Sequence, residues 1–292
     1  MRRLIVVALL ALAGCDSQPA PPVIVYVPTS MEQTVGEHLR SAGMDATLVS
    51  GDSTELTTRV IEKKDSPRAD ILITDNAVDI WRAGDRGALR PLDDNVLAEA
   101  PAQLRDPDGA WVALRFRPLL LHVRSDQGSS ELASYSDLGN PEWGGKLCLS
   151  SSALPANRAL LSMLIDERGV KPAERIARRW ARNLAAFPFA SREDLVDAIG
   201  SGKCLVTIAT QGPRNPEFRV IRPDPLYFDI DAIGVSRHAE HPDLAHSVAA
   251  ELRRRLLVLD PELLRAAGGS NASVIGWHAE EARLLAERAG YR

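Results

Sequence analysis

The sequence predicts an α/β protein organised on a parallel sheet. Three observations lead there. Short β-branched runs at Val23–Val27, Ala46–Val49 and Ala69–Thr74 are separated by stretches of helical spacing. Strand, helix, strand, helix, strand at such intervals is the pattern of a doubly wound sheet. The chain has 292 residues, enough for two packed lobes.

The elements follow in order. Val23–Val27 is a buried first strand. Met31–Ala42 has helical spacing and ends at Gly43, a C-cap. Ala46–Val49 is the second strand, and Ser53–Lys64 an amphipathic helix capped by Ser53 or Asp52. Ala69–Thr74 is a third strand, followed by a short helix over Asn76–Ala83 and a turn over Gly84–Pro91. Trp111–Val123 is strand-rich, and Lys146–Leu149 is a strand. Helices are expected from about Ala156 to Gly169, over the basic stretch Pro172–Leu184, and over Asp194–Ile199. Cys204–Ala209 is a strand, and Thr210–Pro225, with prolines at 213, 216, 223 and 225, is loop. Ile230–Val235 is the last strand; helices at Asp243–Leu257, Pro261–Ala267 and Gly276–Ala289 close the chain.

The formal net charge of -4 gives no electrostatic reason to expect nucleic acid as a partner. Arg2 and Arg3 precede an apolar run, Leu4–Leu12, too short to span a bilayer. The run ends in Leu12-Ala13-Gly14-Cys15, which looks like a bacterial lipobox: residues 1–14 are a signal peptide and Cys15 carries the lipid. Residues 15–22, polar and Pro-rich, form a tether. Asp16 directly after Cys15 points to the inner membrane rather than the outer. Export puts Cys148 and Cys204 in an oxidising compartment, where a disulfide is favoured over two free thiols.

No nucleophile elbow, metalloprotease helix, P-loop or dinucleotide-binding glycine motif is present, and the six histidines lack metal-ligand spacing. Nothing indicates an enzyme, and no cofactor is expected. Ligands of parallel α/β sheets bind at the carboxyl ends of the strands. Here those ends are Thr29 and Ser30 after the first strand and Asp75 and Asn76 after the third. Ser150-Ser151-Ser152 lies between a strand and a helix, where hydroxyls and N–H groups suit either an anion or simple capping.

The chain resembles the periplasmic ferric-ion-binding proteins of ABC importers, from about Val23 to the last residue. The marks include Ser66-Pro67-Arg68-Ala69-Asp70, Trp81-Arg82-Ala83, Leu104-Arg105-Asp106-Pro107-Asp108-Gly109 and Pro141-Glu142-Trp143-Gly144-Gly145-Lys146-Leu147-Cys148. Ser151, Ser152, Asn157, Gly202-Lys203-Cys204 and the tail Ala289-Gly290-Tyr291-Arg292 continue the likeness. The resemblance implies a two-lobed type II periplasmic binding fold with a cleft between the lobes. It divides the chain into a first lobe of 23–119 and 227–262 and a second of 120–226 and 263–292. It also implies a Cys148–Cys204 disulfide, since relatives carry Cys at these places. At every position where the family places a phenolate ligand this chain has something else: Met31, Ala156, Gly212 and Pro213. Ferric iron seeks anionic oxygen, so no metal site is expected, and Tyr227 is the one tyrosine left as a candidate.

The reading is a lipid-anchored periplasmic solute-binding protein, a monomer that delivers its ligand to an inner-membrane ABC permease. The ligand is a small anionic solute or an iron chelate. The candidate ligand residues are Thr29, Ser30, Asp75, Asn76, Arg117, Ser151, Ser152, Asn157, Arg158 and Gln211, with Arg115 beside them. Two alternatives stand: a ferric-ion-binding protein with a relocated site, and an envelope sensor or interaction lipoprotein that has lost transport.

Overall fold

A computed structural model describes residues 22–62, 68–126, 132–210 and 217–291. The expected signal peptide, Cys15, most of the expected tether, Gln211, Gly212 and Pro213 lie outside the described residues. Among the described residues no helix is long and apolar enough to cross a membrane.

The first half builds β1 (Val23–Pro28), α1 (Glu32–Ser41), β2 (Ala46–Gly51), α2 (Ser53–Glu62), β3 (Ile71–Thr74) and α3 (Ala77–Asp85). A short helix α4 (Asp94–Leu97) leads to β4 (Val112–Pro118). β5 (Leu120–Arg124) and β6 (Leu147–Cys148) follow, then helices α5 (Pro155–Arg168), α6 (Val170–Asn183) and α7 (Arg192–Gly200). The chain continues through β7 (Val206–Ala209), β8 (Phe218–Ile221) and β9 (Phe228–Val235). It ends in α8 (Pro242–Leu256), α9 (Pro261–Ala266), α10 (Ser273–Trp277) and α11 (Ala279–Ala289).

Two sheets result, each the centre of one lobe. The first has the order β2-β1-β3-β9-β4 and the second β6-β7-β5-β8. β1 pairs parallel with β2 and β3, as the strand–helix pattern requires, but β9 runs antiparallel to both β3 and β4. The first sheet is therefore mixed rather than wholly parallel, because β9 enters it from the other lobe instead of through a helical crossover.

Alternation along β1 shows how this sheet is buried. Val23, Val25 and Val27 join Ile71, Ile73 and Val35 in a core with Val248 and Leu252 of α8. Tyr26 and Leu72 point to the opposite face, into a core that runs on into the second lobe through Leu119, Leu121 and Phe228. Both faces being covered accounts for the unbroken apolar runs in the sequence.

The chain leaves the first sheet at Pro118 and enters the second at Leu120, with one residue between. That residue, Leu119, donates its N–H to the carbonyl of Tyr227, 2.8 Å away on the returning segment. A third link comes from the C-terminal part. Asn271 donates to the carbonyls of Ala102 and Arg105, and α10 packs against both α3 and α5. This packing needs Gly276, since a Cβ there would stand 2.1 Å from the Trp81 ring.

Cys148 and Cys204 form a disulfide with Cα atoms 5.5 Å apart, packed on Leu195, Ala198 and Ile199 of α7. Two expectations need correcting. The stretch 210–225 contains a strand, β8, which adds four residues to the edge of the second sheet beside β5. The last helix is two, broken at His278. Of the two capping candidates for α2, Asp52 does the capping, accepting from the N–H groups of Thr54 and Glu55.

Candidate functional site

The carboxyl ends of β1 and β3 come together, as parallel topology dictates. Asp75 is the centre of this wall. Its carboxylate accepts from the Ser53 hydroxyl at 2.7 Å, the Ser30 hydroxyl at 3.2 Å and the Asn76 amide at 3.3 Å. Ser53 in turn accepts from the Asp75 N–H. Asn76 caps α3: its Oδ1 accepts from the N–H of Asp79, and its Nδ2 donates to the Asp79 carboxylate. Buried and fully engaged, Asn76 shapes the wall, while Thr29 and Ser30 are exposed.

Behind this wall lies a charged ladder between β4 and β9. Arg115 and Arg117 project from one face of β4, and Asp229 and Asp231 from the facing side of β9, each pair two residues apart as strand periodicity requires. Arg117 sits 2.9 Å from Asp229 and 3.2 Å from Asp231, and also donates to the backbone carbonyl of Asp75. Arg115 pairs with Asp231. Asp229 further accepts from the N–H of Ala77 at the start of α3. Burial works against the Arg117 charge, but Asp229, Asp231 and Asp75 outweigh it and raise its pKa. Arg117 is thus committed to the protein's own carboxylates, a strut rather than a free anion receptor. Sequence reasoning missed Ser53, Asp229 and Asp231. The alternation of Arg at 115 and 117 with Asp at 229 and 231 was the signal that would have found the ladder.

The second lobe supplies the facing wall. Ser151 donates its N–H to the Phe189 carbonyl, and its hydroxyl accepts from the N–H of Ala153. The serine tract therefore first caps its own turn; Ser152 is buried. Asn157 Nδ2 donates to the Ser150 carbonyl at 2.8 Å, and its Oδ1 is buried without a partner among the described residues. Arg158 donates to the Ala153 carbonyl, and its Nε is likewise buried without a partner among the described residues. Burial, helped by the like charge of Arg82, lowers its pKa against the pull of Asp79, Asp229 and Glu280. Two of those acids, Asp79 and Asp229, belong to the other wall, so Arg158 stands where the lobes face one another.

All four tyrosines of the chain are at most 3% exposed, and each hydroxyl is engaged. Tyr26 accepts from Arg59, and Tyr135 donates to the Leu119 carbonyl from inside the core. Tyr291 donates to the Ser150 carbonyl. Tyr227, the one candidate phenolate, stacks on Tyr135 with ring centroids 4.4 Å apart and donates to Glu167. Glu167 lies near the far end of α5 from Asn157, so Tyr227 is remote from the facing walls. Burial, together with Glu167, pushes the Tyr227 pKa far up, away from the phenolate. Among the described residues no group of three or more His, Cys, Asp or Glu side chains is placed to hold a metal ion.

A family model described as bacterial extracellular solute-binding protein matches residues 66–210. Iron uptake protein A1 of Synechocystis is 27% identical over 169 residues, 57% of this chain and 47% of that one. The Fe(3+)-binding periplasmic protein of Serratia marcescens is 24% identical over 166 residues, 56% of this chain and 48% of its own. The chain thus spans about half the length of the curated relatives it matches. Among solved structures, the Trichodesmium protein IdiA (FutA) in complex with iron and citrate superposes with a TM-score of 0.77 at 21% identity. That match covers 93% of this chain and 100% of the other. The ferric-binding protein of Campylobacter jejuni gives 0.76 at 20% identity, covering 92% and 100%. Residues 66–210 thus match the bacterial extracellular solute-binding family model, and the described chain has the two-lobed fold of the ferric-binding proteins.

Proposed function

We propose that the protein is the lipid-anchored, periplasmic solute-binding component of an ABC importer, and that it carries a small anionic solute or an iron chelate between its lobes. What supports this reading is the inventory of groups between the walls: Arg158, which among the described residues donates to the Ala153 carbonyl and to no carboxylate, and no free phenol. A half-buried cation whose field is only partly balanced gains when an anion arrives. A bare ferric ion would need the phenolates that the four committed tyrosines do not offer. A chelate brings its own oxygen ligands and leaves the protein to bind charge and hydroxyls. Thr29, Ser30, Asp75, Ser151 and Ser152 line up with that task. Hinge closure about the Leu119–Tyr227 contact would trap the ligand and present the loaded form to the permease.

The test is a thermal-shift panel on the exported protein with phosphate, sulfate, citrate, ferric citrate and ferric ion. A ligand at about a hundred times its Kd stabilises by roughly 2.7 kcal/mol. Stabilisation by one of the anions, lost in Arg158→Gln, is the expected result; a shift with ferric ion alone would reject the reading. The anchor is tested by Cys15→Ser, which should move the protein out of the carbonate-washed membrane fraction.

A further inference from the structure

The solvent face of α6 is a stripe of cations. Lys171, Arg175, Arg178, Arg179 and Arg182 are all exposed and recur at spacings of three and four residues, so they run along one side of the helix for about 17 Å. The opposite face is committed to the lobe. Ile176, Ala177 and Trp180 are buried, Trp180 donates to the Tyr135 carbonyl at 2.9 Å, and Asn183 donates to the carbonyls of Leu138 and Asn140. Glu174 is the one acid of the helix, and it accepts from Arg178 at 2.7 Å and from Arg288 of α11 at 2.9 Å. Among the described residues Lys171, Arg175, Arg179 and Arg182 form no salt bridge. Arg254 of α8 and Arg283 of α11, by contrast, are matched by acids one turn away, Glu251 at 2.5 Å and Glu280 and Glu287 at 2.7 and 2.6 Å. Like charges at these spacings destabilise a helix, so α6 keeps its stripe against its own stability, and an array of fixed negative charge relieves it.

We propose that this stripe is the surface on which the anchored protein lies against its bilayer, the unbridged cations of α6 meeting the phosphates of anionic lipids such as phosphatidylglycerol. The inference rests on the lipid-anchored reading and gives it an orientation. The eight residue steps from Cys15 to Val23 span at most about 28 Å. The folded part therefore stays close to the headgroups, and a weak attraction is enough to turn one face towards them. Each Lys or Arg near an anionic surface strengthens binding about fivefold. Because the apolar face of α6 is buried, the contact is electrostatic rather than an insertion, and salt weakens it. The screening length falls from about 30 Å at 0.01 M to about 8 Å at 0.15 M ionic strength. Phe187, in the loop that follows α6, is 94% exposed and serves as the control for apolar insertion.

The test uses the mature chain with Cys15→Ser, exported behind a signal peptide without a lipobox so that no lipid is attached. Its co-sedimentation is measured with vesicles of phosphatidylcholine alone and of phosphatidylcholine mixed equally with phosphatidylglycerol. Binding is expected only to the mixture, and weaker at higher salt. Arg175→Gln/Arg179→Gln/Arg182→Gln should lower the partition coefficient about a hundredfold. Arg40→Gln/Arg86→Gln/Arg265→Gln, with the same change in charge at exposed positions elsewhere, should lower it less than about fivefold. Thermal melts of both variants should match the parent. No binding by the parent chain, an equal loss in the two variants, or binding to phosphatidylcholine that Phe187→Ser abolishes would overturn the proposal. Retention on heparin without binding to vesicles would assign the stripe to an anionic polymer and overturn it too. The anchor is read separately by the carbonate wash: if the unmodified protein washes off while the stripe still governs vesicle binding, the anchor falls and the surface stands.

Discussion

Replacing Arg117 by Met should unfasten the seam between β4 and β9. The side chain is 26% exposed, and its guanidinium lies 2.9 Å from Asp229 and 3.2 Å from Asp231, both of which are 1% exposed. At an effective dielectric near 20, unit charges at those separations attract by about 6 and 5 kcal/mol before desolvation is subtracted. Desolvation costs several kcal/mol per ion, so the intact cluster contributes little net stability. Removing Arg117 alone is different: among the described residues Asp229 keeps no salt bridge, and Asp231 keeps only that to Arg115. Breaking a buried pair from one side costs about 3–5 kcal/mol. The expectation is about 3–5 kcal/mol in urea unfolding, with Arg117→Met/Asp229→Leu recovering much of it. A loss below about 1 kcal/mol in the single variant, or no recovery in the double one, would refute the claim that Arg117 is committed to the fold and return it to the ligand.

Other outcomes follow from the same structure. The Cys148–Cys204 disulfide closes a loop with a sequence separation of 56, worth about 4 kcal/mol in the chain-entropy model, so Cys148→Ser/Cys204→Ser should lower the urea midpoint accordingly. Gly276→Ala drives a methyl into Trp81 and should cost at least about 1–3 kcal/mol, less in a Trp81→Leu background, as read by thermal melts of the four proteins. His122 on β5 is 4% exposed, and burial lowers its pKa below 6.5, the backbone carbonyl of Ala209 opposing this. The unfolded chain therefore takes up a proton that the folded one refuses. Stability is full above about 6.5 and falls as pH drops through the lowered value, by at most about 1.4 kcal/mol per unit, a slope that His122→Gln should flatten.

Much of the fold was legible because its signals are local. β1, β2 and β3 announce themselves as β-branched runs, and Asp52, Asn76 and Gly43 as punctuation. What escaped was set by distant partners. β8 is four residues in a Pro-rich stretch and exists because it adds to the edge of β5. β9 reads as a strand, but only tertiary packing decides that it runs antiparallel between β3 and β4. The site shows the same division. Thr29, Ser30, Asp75 and Asn76 gather because strand ends in a parallel arrangement must gather. Arg117 looked like a ligand group until the two aspartates of β9, more than a hundred residues away, took its charge.

This scaffold, similar to those of iron-binding proteins, is proposed to hold its cargo without tyrosine ligation. The most direct measurement loads the purified protein with ferric citrate, desalts it, and records the visible spectrum together with the iron and citrate content. Any iron retained should be accompanied by citrate and show no phenolate-to-iron charge-transfer band, with Tyr227→Phe changing neither. A stoichiometric coloured iron complex, free of citrate and abolished by Tyr227→Phe, would contradict it.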